Sequence, residues 1–355
     1  MPLKTADNNF GTAKWIVSSA YSDGCTHITI ASALTSASSG DTIFIRTGTY
    51  TENLTLKAGV NLVAYTVDGI TPTVTIIGKL SFSSAGTVSI SGIRLQTNSD
   101  NFLAVTGSAA SIVNLYECYL NATNANGITY SSSSGSSGIN LIRCSGNITT
   151  TGITAFVHTG AGVLDFRYTL WGNDGNSVTR STVSSGVVYL TFSQIGFGVT
   201  SSSTGLFSTG FSQMSAPNIP VLIHGGRTDS QLYFSKFYSA ASTCITVNAT
   251  LTVVQCDVNS SSSPVINGSA SLYTSNLSFS DNATITCTVV GKDSLSGPLN
   301  MNNQVKITSG AGSPNGIITA PKGSLYMRTD GSSTSTRAYI NTNGSTTWTA
   351  ITTAA

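Results

Sequence analysis

Acid–base chemistry on a polymer needs paired carboxylates, and this chain is short of them. Glycoside hydrolysis sets two carboxyl groups about 5 to 9.5 Å apart across the scissile bond. Here Glu52 and Glu117 are the two glutamates, and twelve aspartates are scattered, several in turns such as Asp23, Asp68, Asp174 and Asp330. A fold that stacks successive segments would still bring Asp165 and Glu117 onto one face. Metal chemistry has less support. His27, His158 and His224 lack metal-like spacing and no calcium-type carboxylate cluster is present, so neither a metal nor a cofactor is expected. The six cysteines, at 25, 118, 144, 244, 256 and 287, form no C-x-x-C pair and read as buried reduced thiols packing as small apolar residues. The richest supply of contact chemistry is aromatic. Tyr116, Tyr168, Trp171, Tyr189 and Tyr233 alternate with apolar neighbours and stand near Asn, Ser and Thr, so outward rings have hydroxyl and amide donors around them. Two uses are open: stacking on sugar faces of a glycan, or lining the contact between subunits.

Composition limits what can carry these residues. Of 355 residues only 8% are charged, against the usual quarter, while apolar types reach 40% and Ser plus Thr about 30%. That apolar share is enough for a core and excludes the highly charged disordered class. A net charge of +2 without a basic block excludes duplex nucleic-acid binding, which needs clustered Lys and Arg to displace phosphate counterions. No apolar run nears the roughly 20 residues of a membrane-spanning helix, so no membrane insertion is expected. The opening Met1–Asp7 has no signal-peptide stretch, and synthesis in a host cytoplasm is the expectation. Nine Asn-x-Ser/Thr sequons match what the Ser/Thr content yields by chance and say nothing about secretion.

Short alternating segments recur along the middle of the chain. Ile45, Leu62, Ile90, Leu115, Leu141, Phe166, Leu190, Phe234, Val253 and Tyr273 serve as equivalent positions, with steps of about 17 to 28 residues. The one longer step, after Leu190, holds an extra turn at Leu206–Phe211. Strands of this length between Gly/Ser/Asn turns predict stacked coils, whereas a β-sandwich would set its Asn-Gly turns between paired strands. Three residues past the reference position stand Cys118, Cys144, Thr169, Ser193, Cys256 and Asn276, a ladder of small side chains about 4.8 Å apart. One position earlier, Glu117 stacks on Arg143, an exposed ion pair worth at most about 1 kcal/mol. Residues 27–37 read as a short amphipathic helix with Ile30, Leu34 and Ala37 on one face, closing the open end of the stack. After residue 298 the period stops, and turns at Ser313–Gly316, Asp330–Gly331 and Asn343–Gly344 mark a small β module. The expectation is therefore an all-β chain: a right-handed, single-stranded parallel β-helix of about ten coils, with an N-terminal capping helix and a small C-terminal β module. Its domains are an attachment segment over 1–24, the capped β-helix over 25–290 and the module over 291–355.

Two stretches resemble known families. His27–Val63, through Thr29-Ile30, Ala33-Leu34, Ala37, Gly40-Asp41-Thr42-Ile43, Gly48-Thr49-Tyr50, Glu52-Asn53-Leu54 and Val60-Asn61-Leu62, resembles the opening of pectin-lyase-like right-handed β-helices, pectinesterases above all. Gly162-Val163-Leu164-Asp165-Phe166 is similar to the pectinesterase strand G-x-x-D-F, and the resemblance implies Asp165 as nucleophile. The family's Gln-Asp pair, source of the acid/base carboxylate, and its Leu-Gly-Arg-Pro-Trp arginine have no counterpart here. A lone carboxylate cannot both attack and shuttle a proton efficiently. The second stretch is Ala320–Gly331, then Ala338-Tyr339-Ile340 and Trp348, which resembles the closing module of bacteriophage tail spikes and fibres. That likeness implies a homotrimer, with Leu325, Tyr326, Tyr339 and Trp348 as trimerisation residues and Trp15 anchoring the other end to the particle.

The functional expectation is a structural virion protein, a spike, fibre or capsid decoration at the virion surface, with capsid or tail proteins and a host surface polysaccharide as partners. The alternative is a carbohydrate-active enzyme, a capsule depolymerase or a pectinesterase-like hydrolase. A bacterial surface adhesin is the third reading.

Overall fold

The computed structural model describes residues 14–19, 24–65, 74–150, 152–172, 180–216, 219–240, 243–261, 264–275, 277–279, 285–291, 299–301 and 305–352. The chain divides into two compact units, Met1–Val290 and Gly291–Ala355.

The first unit is a right-handed parallel β-solenoid. Each coil lays one strand into each of three sheets, which among the described residues hold 13, 11 and 10 strands in the order the chain visits them. The coil Ser111–Tyr116, Tyr119–Ala122, Ile128–Tyr130 shows the pattern. Val113, Leu115 and Leu120 point inward and are fully buried, while Asn114, Tyr116 and Tyr119 between them face out. Leu115 pairs in parallel register with Ile90 on one side and Leu141 on the other, so identical faces stack coil upon coil. Phe82, Phe102, Phe156, Phe166, Trp171, Phe197 and Phe237 fill the interior, each burial worth about 1.5–3 kcal/mol relative to exposure.

The register corrects three of the equivalent positions. Ile43, not Ile45, stacks on Leu62, and the column after Leu190 runs Thr209, Leu232, Val253 and Thr274. Phe234 and Tyr273 lie off it because Phe234 belongs to the turn that follows the strand. That turn joins the first sheet to the second and holds one residue in the left-handed region in successive coils: Glu117, Arg143, Tyr168, Phe192, Phe211, Phe234 and Gln255, with φ between 47° and 54°. A non-glycine residue there costs about 1 kcal/mol or more, so something repeated in every coil must offset it.

The offset begins with the ladder residue that follows. Thr169, Ser193 and Ser212 donate their hydroxyls to the carbonyls of Leu141, Phe166 and Leu190, one coil back, at 3.1–3.2 Å. The amides of Thr169, Ser193 and Ser212 in turn donate to Ser193, Ser212 and Ser235 at 3.1–3.2 Å. Cys118, Cys144 and Cys256 continue the column, each thiol donating to the corresponding carbonyl at 3.4–3.5 Å. Ser212 and Ser235 thus join the expected ladder, while Asn276 lies outside the described residues. The Glu117–Arg143 ion pair forms at 2.8 Å with both side chains exposed.

The helix Ile30–Ser36 buries Ile30, Ala33 and Leu34 against the end of the stack. Thr29 caps it by accepting from the Ser32 amide, and the Glu52 carboxylate accepts from the Ile30 and Ala31 amides at 3.0 and 2.9 Å. Trp15–Val17 adds an edge strand parallel to Thr42–Ile45, and the Trp15 indole donates to Asp41 Oδ2 at 2.8 Å. Trp15 is half-buried in this cap; most of the proposed attachment segment, 1–13 and 20–23, lies outside the described residues.

The second unit is a five-stranded sheet, Leu299–Met301, Val305–Gly310, Leu325–Arg328, Ala338–Asn341 and Trp348–Ile351, antiparallel except where the second and third strands pair. Gly316 and Gly344 take positive φ in the expected turns. Ala320, Tyr326, Tyr339 and Trp348 form a core of this unit's own, and the Trp348 indole donates to the Ile318 carbonyl at 2.7 Å. Three of the four expected trimerisation residues, Tyr326, Tyr339 and Trp348, are therefore buried inside the unit; Leu325 alone is half-buried.

Candidate functional site

Strand alternation and in-register stacking arrange the outward residues of the first sheet in columns. Asp165, Tyr189, Ser208 and Gln231 make one, and Arg167, Thr191, Gly210 and Tyr233 the next. Tyr116 stands farther along the second column, half-buried. Gly210 interrupts its column: a Cβ built there would meet nothing within 4 Å. The missing side chain opens a groove of about 430 Å³ floored by Ser208, Gly210 and Gln231 and flanked by Tyr189, Thr191, Tyr233 and Asp229, within the range of small-ligand sites. Arg227 binds Asp229 through Nε at 2.9 Å and Nη2 at 2.5 Å, and this pairing holds the Asp229 carboxyl below the usual carboxylate range. Tyr189 is 41% exposed, and among the described residues no other ring packs on Tyr189 or Tyr233. Both residues line the groove.

One coil before Tyr189 lies Asp165, only 6% exposed. Arg167, two residues on and on the same face, binds Asp165 Oδ2 through Nε at 2.8 Å and Nη2 at 2.6 Å. Oδ1 is buried and meets no hydrogen-bond partner. A carboxylate pinned by a guanidinium and closed off from solvent is poorly placed to attack, and no second carboxylate lies beside it in its column or the next. Among the described residues no group of three or more His, Cys, Asp or Glu side chains could hold a metal ion.

On the other side of the groove stands a ridge built by the left-handed turns. Tyr168, Phe192, Phe211 and Phe234 stack in sequence, with centroids 5.3, 5.1 and 4.7 Å apart and planes within 9° of parallel. Each pair adds about 0.5–1.5 kcal/mol, comparable to the cost of holding these residues at positive φ. Tyr168 was expected as a glycan contact; it is 62% exposed, at one end of this ridge. Phe192, Phe211 and Phe234 were not expected, although each is an aromatic residue directly before a ladder Ser, as Tyr168 is before Thr169. Beyond the ridge, on the second sheet, a groove of about 470 Å³ runs past Leu170, Gln194, Gln213 and Lys236.

Trp171 is not a surface contact. The turn at Tyr168 resets the alternation, so Leu170 faces out and Trp171 faces in, fully buried against Phe102, Phe166 and Phe197 at centroid distances of 5.7–6.3 Å. His158 and His224 are also interior. Burial lowers both pKa values, that of His158 to about 4. His158 Nε2 pairs with the Gly162 carbonyl, and His224 bridges Ser201 Oγ and the Thr250 carbonyl. Both are structural clasps.

No protein-family model matches the chain, and no curated protein matches it. Among solved structures, the chain is similar to pectin methylesterase PemA from Erwinia chrysanthemi, at 11% identity over 79% of this chain and 93% of that one, TM-score 0.41. It is also similar to the pectin methylesterase from Aspergillus niger, at 14% identity over 77% and 87%, TM-score 0.40, and to that from carrot, at 12% over 78% and 88%, TM-score 0.40. The parallel β-helix is carried by the in-register stacking of this chain's own strands.

Proposed function

We propose that this protein binds a polysaccharide on the outer face of the first sheet, in the groove between Tyr189 and Tyr233. The observation that carries the reading is the notch at Gly210, with tyrosine rings on either side and Ser208, Gln231 and Asp229 lining the same groove. Apolar ring faces plus a few fixed polar groups are what a pyranose requires. Substituting Gly210→Leu tests it, because the position lacks positive φ and a Cβ there meets no protein atom within 4 Å, so the added side chain takes up groove space. Binding to a panel of cell-surface and plant polysaccharides, followed by calorimetry, should fall at least tenfold in the variant, with the unfolding midpoint unchanged. Equal binding by both proteins, or no binding across the panel, would end the proposal.

A catalytic role rests on one observation, the partnerless Oδ1 of Asp165, one coil before Tyr189. Following reducing ends and freed methanol in the same incubations tests it, and the expected result is no turnover. Turnover lost in Asp165→Asn would make the protein a carbohydrate-active enzyme. The virion-appendage reading rests on the sequence resemblance of residues 320–348, and we propose it as a setting in which such a groove would meet a host glycan. Co-purification with virus particles is its test.

A further inference from the structure

From the closed stack of Tyr168, Phe192, Phe211 and Phe234 we infer that the ridge and the groove beside it form the contact between copies of this chain. Stacking uses up the ring faces, because planes within 9° of parallel at about 5 Å leave the two inner rings no free face. A sugar needs such a face; the edges that remain suit protein packing, edge against face or against aliphatic groups. The ridge is also too apolar to be an ordinary solvated surface. Tyr168, Leu170, Phe192, Phe211 and Phe234 are each 46–62% exposed and contiguous. At about 100 Å² apiece they amount to roughly 500 Å² per copy, and a pair of copies reaches the roughly 1,000 Å² at which specific contacts begin. In a chain with only 8% charged residues, few charges oppose such a patch meeting its like.

The partner is a second copy because the surface supplies both halves of a fit. Ridge and groove run side by side along the same coils, since Tyr168, Phe192, Phe211 and Phe234 each precede a groove residue by two: Leu170, Gln194, Gln213 and Lys236. One copy's ridge can enter the other's groove while each coil meets a coil of the same thickness. Gln194 and Gln213 would then hydrogen-bond across the contact. The glycan proposal does not depend on this one, since the two surfaces lie on opposite sides of the ridge.

The test is the mass in solution of the full chain and of the double variant Phe192→Asn/Phe211→Asn. Asparagine accepts the left-handed conformation better than phenylalanine, so the variant keeps the turn. By light scattering at micromolar concentration, the native chain should have a multiple of 36.6 kDa and the variant 36.6 kDa, with the same circular dichroism and an unfolding midpoint lowered by the loss of the stacks. A native chain that is monomeric overturns the inference, as does a variant that keeps the native mass. A variant of unchanged mass that loses polysaccharide binding would assign the ridge to the glycan instead.

Discussion

At the scale of single residues, burial decides the chemistry. His158 is fully buried and stays neutral in the fold, with its pKa lowered to about 4, chiefly by desolvation. The unfolded chain takes up a proton on this residue near the ordinary value of 6.5, so the stabilisation present above that pH is lost as pH falls toward 4. The full loss is roughly 3 kcal/mol, of which about 2 kcal/mol should be gone by pH 5. Urea unfolding at pH 7 and pH 5 should show that drop, and His158→Gln should shrink it to the share due to His224, whose pKa shifts the same way. An unchanged pH dependence in the variant would clear His158 of the role. The same logic separates two aromatic candidates of identical sequence appearance: Tyr189 faces out in an alternating strand, while Trp171 falls one residue on the inner side of a reset alternation. Asp165 was legible as an outward strand residue, but not its capture by Arg167, which requires both side chains to lean the same way over a covered surface.

At the scale of elements, the left-handed turn and its ladder set the geometry. Ser193 donates to the Phe166 carbonyl and accepts from the Thr169 amide, linking two coils at a position 4% exposed. Ser193→Ala leaves those groups unpaired and should cost about 1–3 kcal/mol in chemical denaturation. Ser193→Cys should lose less, because Cys118, Cys144 and Cys256 already fill the same role elsewhere in the column. Equal losses would show that packing, not the hydrogen bonds, sets the cost. The ladder was visible in the sequence as a spaced set of small residues. The ridge beside it was written as the pairs Tyr168-Thr169, Phe192-Ser193, Phe211-Ser212 and Phe234-Ser235. Taking Phe234 as an inward strand residue hid this repeat, because an apolar residue at a strand's end reads as core unless the turn's φ is known.

At the scale of the whole molecule, each coil of the solenoid leans on its two neighbours, so stability accumulates by nearest-neighbour stacking. Amide exchange should therefore be slowest around Leu141, Phe166 and Leu190 in the middle of the stack and quicken toward the coil that ends at Ile266. Uniform protection along the unit would instead mark one all-or-none block. The C-terminal unit packs four buried apolar residues into a cluster of its own, and three of the aromatic residues that resemble a trimerisation set belong to it. The all-β class, the coil period, the capping helix and the ladder are legible along the chain, because they follow from alternation, spacing and side-chain size. Which rings share a face, where Gly210 leaves a notch and which aromatics line a groove were settled by the stacking of the coils. Those depend on the register between coils, and a shift of one or two residues in a turn moves a side chain from core to surface without changing the composition of the segment.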